Sequence, residues 1–329
     1  MQLLQNRLLV FIALLLLAIS ISAAQWHQAL HEPLNTSKTF EVARGDHLGD
    51  IRAQLKQKGI TEHADLFYWY VRLSGISRQL HAGEYQISPK SNLIELAEKM
   101  VRGDVIDHQI TIIEGSTTKD FISAIKAHPM VKQTDVDYHT IMQTITEEGI
   151  HPEGQFFPDT YHFTKGTSDI ELLKRAYSRM QEKLKQAWSS RAVGLILKSP
   201  YEALTLASII EKETGQAFER GQISGVFHRR LQKGMKLQTD PTVIYGMGEA
   251  YKGNIRRKDL RTPTPYNTYT QKGLPPSPIC LPGYEALIAA VNPEQGDTLY
   301  FVAKGNGEHA FSATLEEHNK AVRKYQLKK

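Results

Sequence analysis

YEALTLASIIEKETGQAFER, residues 201–220, is the stretch on which the reading of the whole chain turns. Leu206, Ile209, Ile210 and Glu213 recur at i, i+3, i+4 and i+7, so the spacing predicts a helix over about Tyr201 to Gln216 with these four on one stripe. Glu213 extends the buried face of its own helix. Glu211 lies about 160° round the wheel and is expected to face water or a neighbouring charge. A carboxyl group pressed against aliphatic side chains loses solvation of its charged form, and its pKa rises. That is the tuning a general acid needs near neutral pH. A carboxylate at a helix end that simply escapes burial has the same spacing, and the stripe does not choose between the two.

Working outward, a long helix from about Asp169 carries Leu173, Ala176, Tyr177, Met180, Leu184 and Trp188 along one side, and a third carries Ile223, Val226, Phe227 and Leu231 and ends near Gly234. Thr239-Asp240-Pro241 reads as a helix entry, with Pro at the first helical position. From Arg261 to Gly283 six prolines (263, 265, 275, 276, 278 and 282) exclude helix and central strand. Tyr266, Asn267, Thr268 and Tyr269 within it argue for order, because aromatic rings and amides line sugar grooves. Glu153 to Tyr161 has the same mixture of aromatics, turn residues and carboxylates. TLYFVA and HAFSA flank Gly305-Asn306-Gly307 as a hairpin, and a last helix spans Leu315 to Tyr325. Upstream, QITIIEG from about Asp107 is a strand, and Ser116 to Thr118 caps a helix with Phe121, Ile122 and Ile125. Helices outnumber strands without regular alternation, which predicts an α+β fold rather than a doubly wound sheet.

Residues 38–107 read as a separate small α+β unit. Phe40 and Val42 alternate as a strand, Gly45-Asp46 turns the chain, and Leu48, Ile51 and Leu55 follow at helical spacing. Leu66, Phe67, Tyr70 and Val71 share a second helix face, GEYQIS is a strand, and Leu93, Leu96, Ala97, Met100 and Val101 share a third helix, which Gly103 can end. The strand, Gly-Asp turn and helix resemble a LysM-like module, a fold that binds N-acetylhexosamine glycans. Turn chemistry alone also explains the Gly and Asp.

Leu8 to Ala24 is a run of 17 uncharged residues, about 26 Å as a helix, enough to span a hydrocarbon core. Arg7 precedes it and the next basic side chain is Lys38, which predicts a cytoplasmic tail (1–6), a transmembrane anchor (7–24) and export of the rest. Ser22-Ala23-Ala24 keeps a cleaved signal peptide as the rival. Gln25 to Ser37 is polar and without clear period, a stalk. The chain has 329 residues, 41% hydrophobic and 23% charged, which rules out disorder and a polytopic membrane protein. Net charge is +5, with no Lys/Arg block dense enough for nucleic acid. Cys280 is the only cysteine, so no internal disulfide or Cys-based metal site exists. His151, His162, His228, His309 and His318 lack metal-ligand spacing and read as ordinary surface or core histidines; no metal or cofactor is expected.

Glu153-Gly154 with Phe157-Pro158-Asp159-Thr160, Ala207-Ser208-Ile209-Ile210-Glu211-Lys212-Glu213-Thr214, and Leu237 to Gly246 together resemble the endolytic murein transglycosylases (MltG/YceG-like). Pro265-Tyr266-Asn267-Thr268-Tyr269, Gly273-Leu274-Pro275-Pro276 and Leu299-Tyr300-Phe301-Val302-Ala303 extend the resemblance over nearly the whole exported chain. It implies a single-pass inner-membrane enzyme with a LysM-like domain (38–107) and a periplasmic catalytic domain (108–329). Such an enzyme cuts the MurNAc-β-1,4-GlcNAc bond of nascent peptidoglycan and leaves 1,6-anhydro ends. Its partners would be glycan strands and a peptidoglycan synthase. The resemblance places the catalytic glutamate on Glu213. Glu153, Gln238, Asp240, Tyr266 and Asn267 are candidate groove residues or residues just behind it. Pro278-Ile279-Cys280-Leu281 departs from the family pattern, where smaller residues are expected. Two other readings stand beside this one: a membrane-tethered peptidoglycan-binding scaffold without turnover, and a muramidase-type hydrolase that consumes water.

Overall fold

A computed structural model describes residues 2–135, 137–146 and 149–327 of the chain. Packing divides it into two units, Met1–His108 with His162–Gly166, and Gln109–Tyr161 with Thr167–Lys329.

The smaller unit starts with α1 (Gln2–His31), the one helix among the described residues long and apolar enough to cross a membrane. Its side chains from Leu8 to Leu17 are largely exposed. The helix does not stop at Ala24. It runs on to His31, so the first half of the segment read as an irregular stalk is helical. Residues 25–31 contain no glycine or proline, and helix can continue until Pro33. Leu30 is buried, and Trp26 and Leu34 pack on the same core. There follow β1 (Thr39–Val42), α2 (Leu48–Gln57), α3 (Ala64–Leu73), β2 (Gly83–Gln86) and α4 (Leu93–Arg102). The strands β1 and β2 pair antiparallel, Phe40 opposite Tyr85. Phe40, Leu55, Phe67, Tyr85, Leu96 and Met100 fill the core, and α4 ends on Gly103 in the left-handed conformation.

Strand β3 (His108–Thr111) leads into the larger unit, with α5 (Thr118–Ala127) and α6 (Ile141–Thr146), and β4 (Thr160–Phe163) leads into α7 (Asp169–Ser189). Next come α8 (Pro200–Glu213), α9 (Arg220–Gln232), α10 (Asp240–Met247) and the short α11 (Arg257–Arg261). The chain closes with α12 (Tyr284–Val291), β5 (Tyr300–Ala303), β6 (His309–Ser312) and α13 (Leu315–Tyr325). Among the described residues each sheet has two strands, and β5 and β6 pair antiparallel with Phe301 opposite Phe311.

Helix α8 is the centre of this unit. Ala203, Leu204, Leu206, Ala207, Ile209 and Ile210 are all fully buried, so the helix is covered on every side, by α7, α9, α10 and α12. Ser199 caps it by accepting from the Glu202 amide, and Pro200 occupies the first turn. It stops at Glu213, three residues short of the expected end. Thr214 is extended there, and its hydroxyl turns away to Glu219. Helix α12 was not legible from periodicity, because YEALIAAV is a short, continuous apolar run. The Pro278–Leu281 segment lies against α8: the Ile279 amide donates to Ser208 Oγ at 3.0 Å and Cys280 Sγ to the Ser208 carbonyl. All three of Ile279, Cys280 and Leu281 are buried, so these bulkier residues serve as core.

Gly225 on α9 faces the Glu294 carbonyl oxygen, which a Cβ at this position would meet at 2.4 Å. In an open helix Gly→Ala gains about 1 kcal/mol. Here the backbone contact reverses the sign, and Gly225→Ala should destabilise by about 1–3 kcal/mol in chemical denaturation; a stabilised variant would show that the two backbones are not in contact.

Candidate active site

Glu213 is the last residue of α8, where the apolar stripe of Leu206, Ile209 and Ile210 meets a cavity of about 540 Å³. Its carboxyl group accepts a short hydrogen bond from the Thr239 hydroxyl. As the residue before α10, Thr239 would ordinarily cap that helix with its side chain, but it makes no such bond and gives its proton to Glu213 instead. Burial raises the Glu213 pKa, the nearby Asp240 charge raises it further, and the Thr239 hydroxyl, His309 and Arg230 pull the other way; the balance lies at about 7. The side chain of Glu211, on the far side of the helix, is only 7% exposed. Its charge meets Arg220 at 3.4 Å, and it accepts from the Gly283 amide, so it faces a neighbouring charge rather than water.

The loop 237–239 forms one wall. Gln238 has φ +52°, a left-handed conformation that a non-glycine residue adopts at a cost. The buried Arg230 holds it there, donating to the Leu237 carbonyl at 2.7 Å and to the Leu299 carbonyl at 2.7 Å. Gln238 and Asp240 both line the Glu213 cavity, and Tyr269 donates to Asp240 at 2.6 Å. Burial, with the Asp240 bond second, pushes the Tyr269 hydroxyl well above its ordinary pKa. Tyr269 thus reaches the site that was expected of Tyr266.

A histidine is also part of the lining. His309 on β6 lines the cavity, and its Nδ1 lies 2.8 Å from Glu219 Oε2 while its amide donates to Oε1 at 2.7 Å. Glu219 is buried. Burial alone would raise its pKa, but the His309 and Thr214 hydrogen bonds outweigh that and hold it below the usual value. His309 is therefore an oriented member of the site, not the ordinary histidine that its spacing suggested. No sequence pattern announces it, since its carboxylate partner lies ninety positions upstream.

The remaining candidates lie elsewhere. Glu153 and Tyr266 line a second cavity, described below, and Asn267 lines neither. Asn267 is fully buried; its Nδ2 donates to the Thr262 carbonyl at 2.7 Å and the Asp259 carbonyl at 3.1 Å, while its Oδ1 accepts from the Tyr269 amide. It braces the proline-rich loop from within. Among the described residues no three His, Cys, Asp or Glu side chains are grouped to hold a metal ion.

Comparison with known proteins identifies the family. The family model for the YceG-like family matches residues 40–324, and the chain belongs to that family. A Bacillus subtilis protein named endolytic murein transglycosylase is 33% identical over 91% of this chain and 88% of its own length. A Streptococcus pneumoniae protein of the same name is 25% identical, and here the chain spans 57% of the relative's length. A crystal structure of a putative YceG-like protein from Listeria monocytogenes aligns over 87% of this chain and 99% of its own, at 32% identity and a TM-score of 0.53.

Because the folded protein binds the Glu213 proton more tightly than the unfolded chain does, that group's contribution to stability is full below its ordinary pKa of 4.5 and is lost as pH rises through about 7. Glu213→Gln removes this dependence. The melting temperature of the variant relative to the parent should therefore climb between about pH 4 and about pH 8. Thr239→Val, which deletes a bond that favours the ionised form, should move the Glu213 titration upward in carboxyl NMR, and a downward move would contradict the assigned geometry.

Proposed function

We propose that this chain is an endolytic murein transglycosylase whose general acid and base is Glu213. The observation that carries the reading is the carboxyl group at the end of a buried apolar helix, facing a cavity and holding its proton to about pH 7. The activity is the one named for relatives that match most of this chain.

The chemistry needs only one such group. Protonated Glu213 gives its proton to the oxygen bridging N-acetylmuramic acid and N-acetylglucosamine, and the bond from the muramic C1 to that oxygen breaks as positive charge develops at C1. The glycosidic oxygen leaves as a hydroxyl. Glu213, now ionised, takes the proton of the same sugar's 6-hydroxyl, and the 6-oxygen closes on C1. The acid is regenerated, no water is consumed, and a 1,6-anhydro end remains. Attack by a tethered hydroxyl has the advantage of a high effective molarity. The Thr239 hydroxyl and the Glu219-held His309 supply what the ionised form needs in the second half: a hydrogen bond and a favourable electrostatic contribution. Gln238, Asp240 and Tyr269 line the cavity as groups that can meet sugar hydroxyls, with Asn267 holding Tyr269 in place.

The smaller unit is proposed as a LysM-like glycan-binding domain. Its strand–helix–helix–strand order and antiparallel β1–β2 pair support that reading. Helix α1 is proposed as a single-pass anchor in the inner membrane with residues 1–6 cytoplasmic and the remainder periplasmic, supported by its length and by Arg7 ahead of the apolar run. There the enzyme would meet nascent strands and the synthases that extend them.

On uncrosslinked glycan strands the full chain should yield products one water lighter than reducing ends by mass spectrometry. Glu213→Gln should keep the melting profile at mild acidity and lose about 10²–10⁴-fold in rate, and kcat/KM should fall as pH rises through about 7. Reducing ends would mean a hydrolase, and absence of turnover would mean a binding scaffold.

A further inference from the structure

The larger unit has a second cavity, about 700 Å³, that the reaction at Glu213 leaves unused. Tyr138, Tyr245, Tyr251 and Tyr266 wall it, and Lys119 and Lys212 contribute cationic groups. The wall is stiff. Glu153 is buried there, accepting from the Thr118 amide at 2.9 Å through one oxygen and from the Tyr245 hydroxyl at 3.2 Å through the other. Tyr245 packs edge-on against Tyr266 with ring centres 4.9 Å apart. Aromatic groups fixed in this way lose little freedom when a ligand settles on them.

Its position connects it to the catalytic cavity. Lys212 and Pro241 line the second cavity, and their immediate neighbours Glu213 and Asp240 line the first. Consecutive Cα atoms lie about 3.8 Å apart, so the two cavities adjoin across the end of α8 and the start of α10. A strand long enough to pass Glu213 and round the end of α8 would reach the second. The lining chemistry selects what that polymer presents. Flat aromatic faces suit the C–H faces of pyranose rings, and tyrosine hydroxyls with lysine ammonium groups suit sugar hydroxyls, amide oxygens and the muramic carboxyl group. None of the lining residues belongs to a strand, so there is no backbone edge to pair with an extended peptide.

We infer that this cavity is a remote subsite for N-acetylhexosamine units of the strand being cut, one that makes affinity depend on strand length. The inference rests on the reading of Glu213 as the glycan-cleaving acid. The test uses the full chain as Glu213→Gln, to prevent turnover, and calorimetric titration with uncrosslinked glycan oligomers of increasing, defined length. Affinity should rise at least tenfold once an oligomer is long enough to reach both cavities. Tyr138→Ala, and separately Tyr251→Ala, should bring the long oligomer down to the affinity of the short one; two variants guard against misfolding of either, which melting curves would reveal. Affinity independent of length, or an equal loss for short and long oligomers, overturns the subsite. If the unsubstituted chain cleaves strands while these results fail, only the subsite falls; if it neither binds nor cleaves glycan of any length, the Glu213 reading falls and the subsite with it.

Discussion

A carboxyl group that continues the apolar stripe of Leu206, Ile209 and Ile210 at the end of its helix cannot ionise as it would in water, and the larger unit is arranged around that difficulty. Desolvation favours the proton, and the negative charge of Asp240 favours it further. Full burial with no donor would push the pKa so high that the group could never act as a base. The Thr239 hydroxyl, Arg230 and His309 offset part of the effect and leave the group near neutrality, where both protonation states are accessible. The acid-then-base role proposed for Glu213 needs this intermediate balance.

The groups that set the balance, one by a hydrogen bond and two by charge, come from distant parts of the chain, and each is secured from behind. Thr239 is positioned by its amide, which donates to the Thr268 hydroxyl, and by the strained Gln238 before it, a conformation that costs about 1–3 kcal/mol and persists because its surroundings over-determine it. Arg230 ties that loop to the residues leading into β5. His309 is held by Glu219, and Tyr269 by Asn267. The proline-rich segment, with no regular structure between α11 and α12, is thereby a rigid part of the site wall.

The smaller unit follows simpler rules. Two short strands and three amphipathic helices enclose a core of aromatic and aliphatic side chains, with Gly103 ending α4 in a conformation that glycine adopts without strain. Continuation of α1 into this core through Leu30 joins the apolar segment to the unit by packing as well as by covalent connection.

Periodicity was enough to mark α7, α8, α9 and α13, the β5–β6 hairpin, the helix entry at Asp240 and the burial of Glu213's stripe, because each depends on side chains a few positions apart. It did not mark α12, whose apolar residues are continuous, nor the helical character of residues 25–31, which depends on Leu30 having a core to enter. The partners of Glu213 were invisible for a different reason. Thr239 lies twenty-six positions away and His309 is bound to a carboxylate ninety positions away, so only the folded chain brings them together. The same holds for the exchange of roles between Tyr266 and Tyr269 and for the inward turn of Asn267. Local spacing determines which face of a helix is apolar, whereas the protonation behaviour of a buried acid is set by groups that only tertiary packing can deliver.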